Sequence, residues 1–259
     1  MSNHSTRVAF VTGASSGIGE ALARELLRRA WGVVGVSRRE ATIESPRYTH
    51  LCLDLAKIAE LAGGVGEGAE HVVADSSVTR LALVNSAADP GLLGPLDRFD
   101  PVEMLRVCAI NVVAPAWLMG WLVRRSKSDV TLRIVNVSSG AAVAAYPGLG
   151  AYGTTKAALR MAGMVLACEL ESPERPGGAR LDATVMSYDP GAVDTAMQAA
   201  VRASTIETLP IVGMFKHLAA EGLLAPPEGP AGEIADYLDG DGHSRFSERN
   251  FGAKPRTAG

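Results

Sequence analysis

Short apolar runs alternate along this chain with longer stretches whose apolar residues recur every three or four positions. Arg7–Thr12 is a strand-length run that ends in glycine, and residues 18–30 follow with Ile18, Leu22, Leu26 and Leu27 on one helical face. Gly32–Ser37, 48–53, 80–87, Thr131–Val137 and 180–187 are further strand-length runs. Pro101–Arg125 and residues 152–171 read as long helices. Strands that are apolar throughout and separated by helices predict a parallel sheet covered on both faces. The expected fold is α/β: one Rossmann-type, doubly wound parallel sheet over residues 1–259, with its site at the carboxyl ends of the strands.

Elsewhere the pattern is weaker. Residues 56–74 have helical spacing interrupted by Gly63, Gly64, Gly66 and Gly68, and 63–68 reads as a flexible loop. No strand feeds that loop and no lysine follows it, so it is not a phosphate cradle. Residues 194–225 form a long excursion with one or two helices, expected to bind substrate, and Pro226-Pro227 closes it. Residues 228–238 suit another helix. The tail, 239–259, is polar, shows no convincing apolar strand and reads as partly irregular.

Composition narrows the function classes. A net charge of −3 leaves no electrostatic footprint for nucleic acid. The longest apolar stretches, such as 109–123, are interrupted by Asn111 and Pro115 and read as too short to span a bilayer. Residues 1–7 lack the apolar segment of a signal peptide. Cys52, Cys108 and Cys168 are far apart and odd in number, which reads as buried reduced thiols in a cytoplasmic protein. The five histidines show no metal-ligand spacing, so no metal is expected.

The first strand runs into Gly13-Ala14-Ser15-Ser16-Gly17-Ile18-Gly19, and a helix follows. Glycines allow a tight turn and close approach of a pyrophosphate, and the helix start offers free amides. This makes Gly13, Ser15, Ser16, Gly17, Ile18 and Gly19 a candidate dinucleotide cradle. The second strand ends in Ser37-Arg38-Arg39, with no acidic residue to hold the ribose hydroxyls of NAD. Ser37 can donate to a 2′-phosphate, and Arg38 or Arg39 can pair with it, so the expected cofactor is NADP(H). Asp54 can accept from an adenine amino group or cap a helix, and the sequence does not choose between the two.

Tyr152 and Lys156 lie four residues apart on a predicted helix, which sets both on one face. An ammonium there favours the phenolate, so it is expected to lower the Tyr152 pKa and ready the tyrosine for proton transfer.

In this order the chain carries the turn 12–19, Asp54, Asn85-Ser86-Ala87-Ala88, Asn111, Ser138-Ser139, Tyr152 with Lys156, and Pro190-Gly191. With these pieces it resembles the short-chain dehydrogenase/reductase family over nearly its whole length, and the stretches 35–40, 150–156 and 189–198 look closest to its sepiapterin reductase and benzil reductase-like branch. The resemblance implies a catalytic tetrad. Ser139, thirteen residues before Tyr152, would bond the substrate carbonyl, with Ser138 the alternative that the spacing disfavours. Tyr152 would exchange the proton, Lys156 would also hold the nicotinamide ribose, and Asn111 would bind a water linking Lys156 to solvent. Asn85, Ser86, Ala87, Pro190, Gly191, Val193 and Thr195 would complete the cofactor site.

The family's usual Asn-Asn-Ala-Gly is altered here, Ala88 standing where glycine is common. No aspartate in the tail matches the pterin anchor of sepiapterin reductase. The expected substrate is a small carbonyl or alcohol, a ketone or diketone, against an apolar wall drawn from Ala141, Ala142, Val143, Tyr146, Leu149, Tyr188, Met197, Met214 and Phe215. Asp89 and Asp189 read as solvated rim residues. The resemblance implies a homodimer or homotetramer, since such long helices form the family's subunit interface. The competing reading is a cofactor sensor of the same fold without turnover.

Overall fold

The computed structural model describes residues 7–172 and 181–253. Seven strands form one sheet: β1 Arg7–Thr12, β2 Gly32–Ser37, β3 Tyr48–Cys52, β4 Arg80–Asn85, β5 Thr131–Val137, β6 Ala183–Asp189 and β7 Phe246–Asn250. Their order is β3-β2-β1-β4-β5-β6-β7, and every neighbouring pair is parallel. The helices are α1 Gly17–Arg28, α2 Ile58–Ala74, α3 Pro101–Cys108, α4 Ala114–Arg125, α5 Gly150–Glu171, α6 Ala196–Arg202, α7 Val212–Ala220 and α8 Glu228–Asp239.

The period-two alternation of a strand sends successive residues to opposite faces. Val8 and Phe10 of β1 pack with α2, α4 and α5, whereas Ala9 and Val11 pack with α1 and α8. Both faces are covered, which is why the inner strands carry unbroken apolar runs. The order reverses between β1 and β4, and this switch point opens a crevice at the carboxyl ends.

The structure corrects four readings. Residues 63–68 lie inside the unbroken helix α2. Gly64 and Gly68 face β3, where an added Cβ would come within 2.5 Å of Leu53 and Leu51. These two glycines let the helix sit close on an edge strand, a reason that sequence punctuation does not reveal. The polar tail contains β7, parallel to β6 with Val185 opposite Phe246. An edge strand is half solvated, so it lacks the apolar signature of the inner ones. Cys52 and Cys168 are exposed and Cys108 is intermediate, so the thiols are not core residues. Finally, Pro101–Arg125 is continuous and passes length and composition criteria for a membrane span, yet 56% of its apolar window is buried in the fold. Leu118, Trp121 and Leu122 pack into the core there.

Other boundaries move slightly. β6 begins at Ala183, and Arg180 lies outside the described residues, as do 254–259 of the tail. The excursion holds two helices, α6 and α7, over a small cluster of Leu149, Val201, Leu209 and Val212.

Candidate active site

The turn after β1 is built on backbone conformations that favour glycine: φ is 73° at Gly13 and 57° at Gly17. A Cβ at Gly13 would lie 3.0 Å from the Ala87 backbone. Gly19 packs directly on the Gly13 carbonyl, so it shapes the turn from behind instead of lining the crevice. Thr12, to which the sequence assigned no role, holds the facing loop. Its Oγ1 accepts from the amides of Ser86 and Ala87 at 3.1 and 3.0 Å. Helix α1 starts at Gly17, and the N-cap Ser16 makes no side-chain capping bond. Its hydroxyl and the free first-turn amides are thus available to an anion.

From this turn a cleft of about 360 Å³ runs over the carboxyl ends of the strands. At one end lie Ser37, Arg38, Arg39 and Asp54. The Ser37 hydroxyl donates to the Arg39 carbonyl at 2.7 Å. Arg38 and Arg39 are exposed, and no ion pair joins either guanidinium to a described residue. Asp54 accepts from the Ala56 amide at 3.0 Å, two residues before α2 begins. It therefore closes a local turn and is not the helix cap.

At the other end are Ser138, Ser139, Tyr152, Lys156 and the loop after β6, with Pro190, Gly191, Val193 and Thr195 in the wall. Ser139 caps a short 3₁₀ turn by accepting from the Ala141 amide at 3.2 Å. Lys156 is 2% exposed, and its Nζ donates to the Val137 carbonyl at 2.8 Å. The same nitrogen lies 5.6 Å from the Tyr152 ring centroid. Thr195 Oγ1 caps α6 by accepting from Gln198 N at 3.3 Å.

Asn111 lies in a π turn, Ala109–Val113, that interrupts the long helix. Pro115 has no amide to give the Asn111 carbonyl in the ordinary i+4 pattern, and the turn widens. The Asn111 side chain is fully buried outside the cleft. It accepts from Asp89 N at 2.8 Å and donates to Asp89 O at 2.8 Å and Thr155 Oγ1 at 3.0 Å. Thr155 in turn donates to the Tyr152 carbonyl at 2.8 Å, a link the sequence reading missed. Asn85 is likewise buried and donates to Asn136 Oδ1 at 2.8 Å, tying β4 to β5. Of the residues selected from sequence, then, all but Gly19, Asn85 and Asn111 line one cleft. Those three support its walls.

Ala88 also lines the cleft. The only described non-glycine residue with positive φ is Ala30, so the Cβ of Ala88 meets no backbone penalty. Leu149, Met197 and Phe215 join the wall, together with Ile110, Gln198 and Val201, which sequence did not single out. Ala142, Val143 and Tyr146 line a second, smaller cavity. Ala141 and Tyr188 are buried and Met214 is exposed. Asp89 is engaged by Arg106 and the Gly91 amide, and Asp189 lines both cavities.

The expected lowering of the Tyr152 phenol is reversed. Burial raises it well above the ordinary tyrosine range, the Asp189 carboxylate adds to the rise, and the hydrogen bond with Ser139 opposes it. A phenol is already protonated at neutral pH, and the rise keeps Tyr152 in the form a proton donor needs. Burial also lowers the Lys156 ammonium to about 8. Because the folded pKa lies below the unfolded one, the folded state is penalised while Lys156 is charged in both states. The penalty is full below pH 8 and fades as pH rises towards 10.5. Urea unfolding should therefore show wild-type stability gaining about 2–3 kcal/mol relative to Lys156→Met between pH 7.5 and 10. Parallel pH profiles for the two proteins would show that Lys156 is not held in this way.

The profile of the family described as short chain dehydrogenase matches residues 7–205. A benzil reductase ((S)-benzoin forming) of Bacillus cereus is 32% identical over 241 residues, covering 90% of this chain and 94% of that protein. A sepiapterin reductase of Meriones unguiculatus is 27% identical over 252 residues, covering 90% and 92%. Among solved structures, that of the KRED1-Pglu enzyme superposes with a TM-score of 0.78 at 26% identity, covering 93% of this chain and 99% of the other.

Proposed function

The chain belongs to the short-chain dehydrogenase/reductase family, and on that premise we propose that it reduces a ketone or diketone carbonyl with NADPH, Tyr152 giving the proton. The observation that carries this reading is the convergence of Ser139, Tyr152 and Lys156 in the same cleft as the glycine turn and two unpaired arginines. The cradle fits a dinucleotide, since a Cβ at Gly13 or Gly19 would fill or distort it. The cofactor, when bound, supplies the hydride.

The protein's own groups do the rest. As negative charge builds on the substrate oxygen, the hydroxyls of Ser139 and Tyr152 stabilise it, and Tyr152 gives up its proton. Lys156, fixed by the Val137 carbonyl, holds the ribose side of the cleft and repays the proton to Tyr152. The Asn111 amide is engaged by Asp89 and Thr155, which leaves its backbone carbonyl to orient the water of a relay. Ser15, Ser16, Gly17 and Ile18 hold the pyrophosphate, and Ser37, Arg38 and Arg39 hold the 2′-phosphate. Asp54, Ser86 and Ala87 flank the adenosine. Pro190, Gly191, Val193 and Thr195 flank the nicotinamide.

The Bacillus cereus relative is named for reducing benzil to (S)-benzoin, and the wall of Leu149, Met197 and Phe215 suits a similar aryl diketone. Residues 194–225 cover the substrate side of the one catalytic domain. A homodimer or homotetramer is part of this reading. Val102 and Leu105 on α3 are 73% and 71% exposed, and Met161 on α5 is 53% exposed, apolar surface that a second copy would cover.

Mixing the protein with NADPH and a panel of ketones that includes benzil, and following loss of reduced cofactor, tests the reading. Turnover of benzil or an aryl ketone is expected. Tight NADPH binding with no turnover of any carbonyl would leave the sensor reading in its place.

A further inference from the structure

Beyond Ser138 and Ser139 the main cleft adjoins a second cavity of about 180 Å³, set between α5 and the carboxyl ends of β5, β6 and β7. Ser138, Ser139 and Asp189 line both spaces and form their common wall. The reacting carbonyl, held by Ser139 and Tyr152, would therefore stand at the junction of the two.

The charges in this cavity are Arg160, Glu248 and Asp189. Arg160 and Glu248 neutralise one another through paired bonds of 2.5 and 2.9 Å. Asp189 is different. Its Oδ1 accepts from the Gly191 amide at 3.0 Å, while Oδ2 has no hydrogen-bond partner among the described residues. That free oxygen faces Gly140, lying 3.6 Å from where a Cβ would stand. Asp189 shares the α5-facing side of β6 with Val185 and Ser187, and its charge reaches the Tyr152 phenol. The cavity thus has, among the described residues, one negative charge without an ion pair and one solvent-accessible acceptor oxygen near the reacting group. A volume of about 180 Å³ is well above the roughly 10–15 Å³ that one water needs on the same measure, room for a short substituent.

We propose that this second cavity is a substrate subsite for a hydrogen-bond-donating arm, a hydroxyl or an ammonium, carried next to the reacting carbonyl, with Asp189 as its acceptor. A hydrogen bond to a carboxylate is worth more than a neutral one, and an ammonium also gains the attraction of its charge. An anionic arm is repelled by the Asp189 carboxylate and offers it no donor. The site therefore selects α-hydroxy and α-amino ketones over plain ketones, and plain ketones over α-keto acids. This rests on the carbonyl reductase reading above, whose failure would be seen separately.

The test compares kcat/KM for acetophenone, α-hydroxyacetophenone, α-aminoacetophenone and benzoylformate with NADPH, on the wild type, Asp189→Asn and Glu248→Gln. Each ketone's intrinsic reactivity cancels when the same pair is compared across proteins. The carboxamide introduced by Asp189→Asn keeps an oxygen that can accept from the Gly191 amide, so the loop retains its anchor. In this variant the preference for the amino ketone over acetophenone should fall about tenfold, and benzoylformate should gain on acetophenone. In Glu248→Gln the freed Arg160 offsets Asp189, and the preference should move the same way by a smaller factor. Unchanged ratios in both variants, with acetophenone reduced by the wild type, would overturn the subsite and leave the reductase reading standing. Absence of turnover with all four ketones and with benzil would overturn both.

Discussion

Tyr152→Phe is expected to lower kcat by about a thousandfold or more while NADPH binds almost as tightly as to the wild type. Phenylalanine keeps the ring in the α5 wall and removes only the hydroxyl proposed to give the proton and to bond the developing oxyanion. The cradle at Gly13–Gly19, the free arginines and the Lys156 bond to Val137 do not depend on that hydroxyl. The loss should therefore appear in the chemical step under single-turnover conditions, and titration of cofactor fluorescence should show little change. Wild-type-like turnover would remove Tyr152 from its role. A loss of binding equal to the loss of rate would mean that the substitution had damaged the cleft.

The second large effect concerns the cofactor. Arg38→Ala should weaken NADPH about ten- to a hundredfold and change NADH by no more than about twofold. The argument is electrostatic. Arg38 is exposed in the cleft wall with no carboxylate partner among the described residues, and the position that would bind the ribose of NAD is occupied by Ser37. A 2′-phosphate would meet an unpaired guanidinium, and only NADPH has that phosphate. The comparison belongs at one fixed ionic strength, since screening weakens the contact. Equal weakening of both cofactors would undo the NADPH assignment.

Much of the molecule was legible from local pattern. The inner strands β1, β2, β4 and β5 are covered on both faces, and burial on both faces writes itself as an unbroken apolar run. The glycines of the first turn were legible because the backbone there demands φ values that other residues resist. Tyr152 and Lys156 were legible because helical spacing alone sets them on one face.

The misses have physical causes of their own. β7 carries Ser247, Glu248 and Asn250 because an edge strand needs only one buried flank. Gly64 and Gly68 looked like breaks because sequence does not show that Leu51 and Leu53 press against them. Asn111 stood out as a polar residue in an apolar stretch, yet its partner Asp89 lies 22 residues away, beyond any local pattern, whereas Asn85 ties β4 to β5 as its place after a strand had suggested. Thr155 gave no signal, because a threonine in a helix looks the same whether or not its hydroxyl joins Asn111 to Tyr152.

By itself the sequence determined the alternating architecture, the glycine-rich turn after β1 and the pairing of a phenol with an amine, since each depends on spacing along a single element. Only the tertiary structure decided the direction of each pKa shift in that pair, the supporting place of Asn111 and the position of Asp189 between two cavities. Those depend on desolvation and on partners brought together from distant elements. Burial strong enough to raise a phenol and lower an ammonium arises only after the sheet and α5 have closed around them.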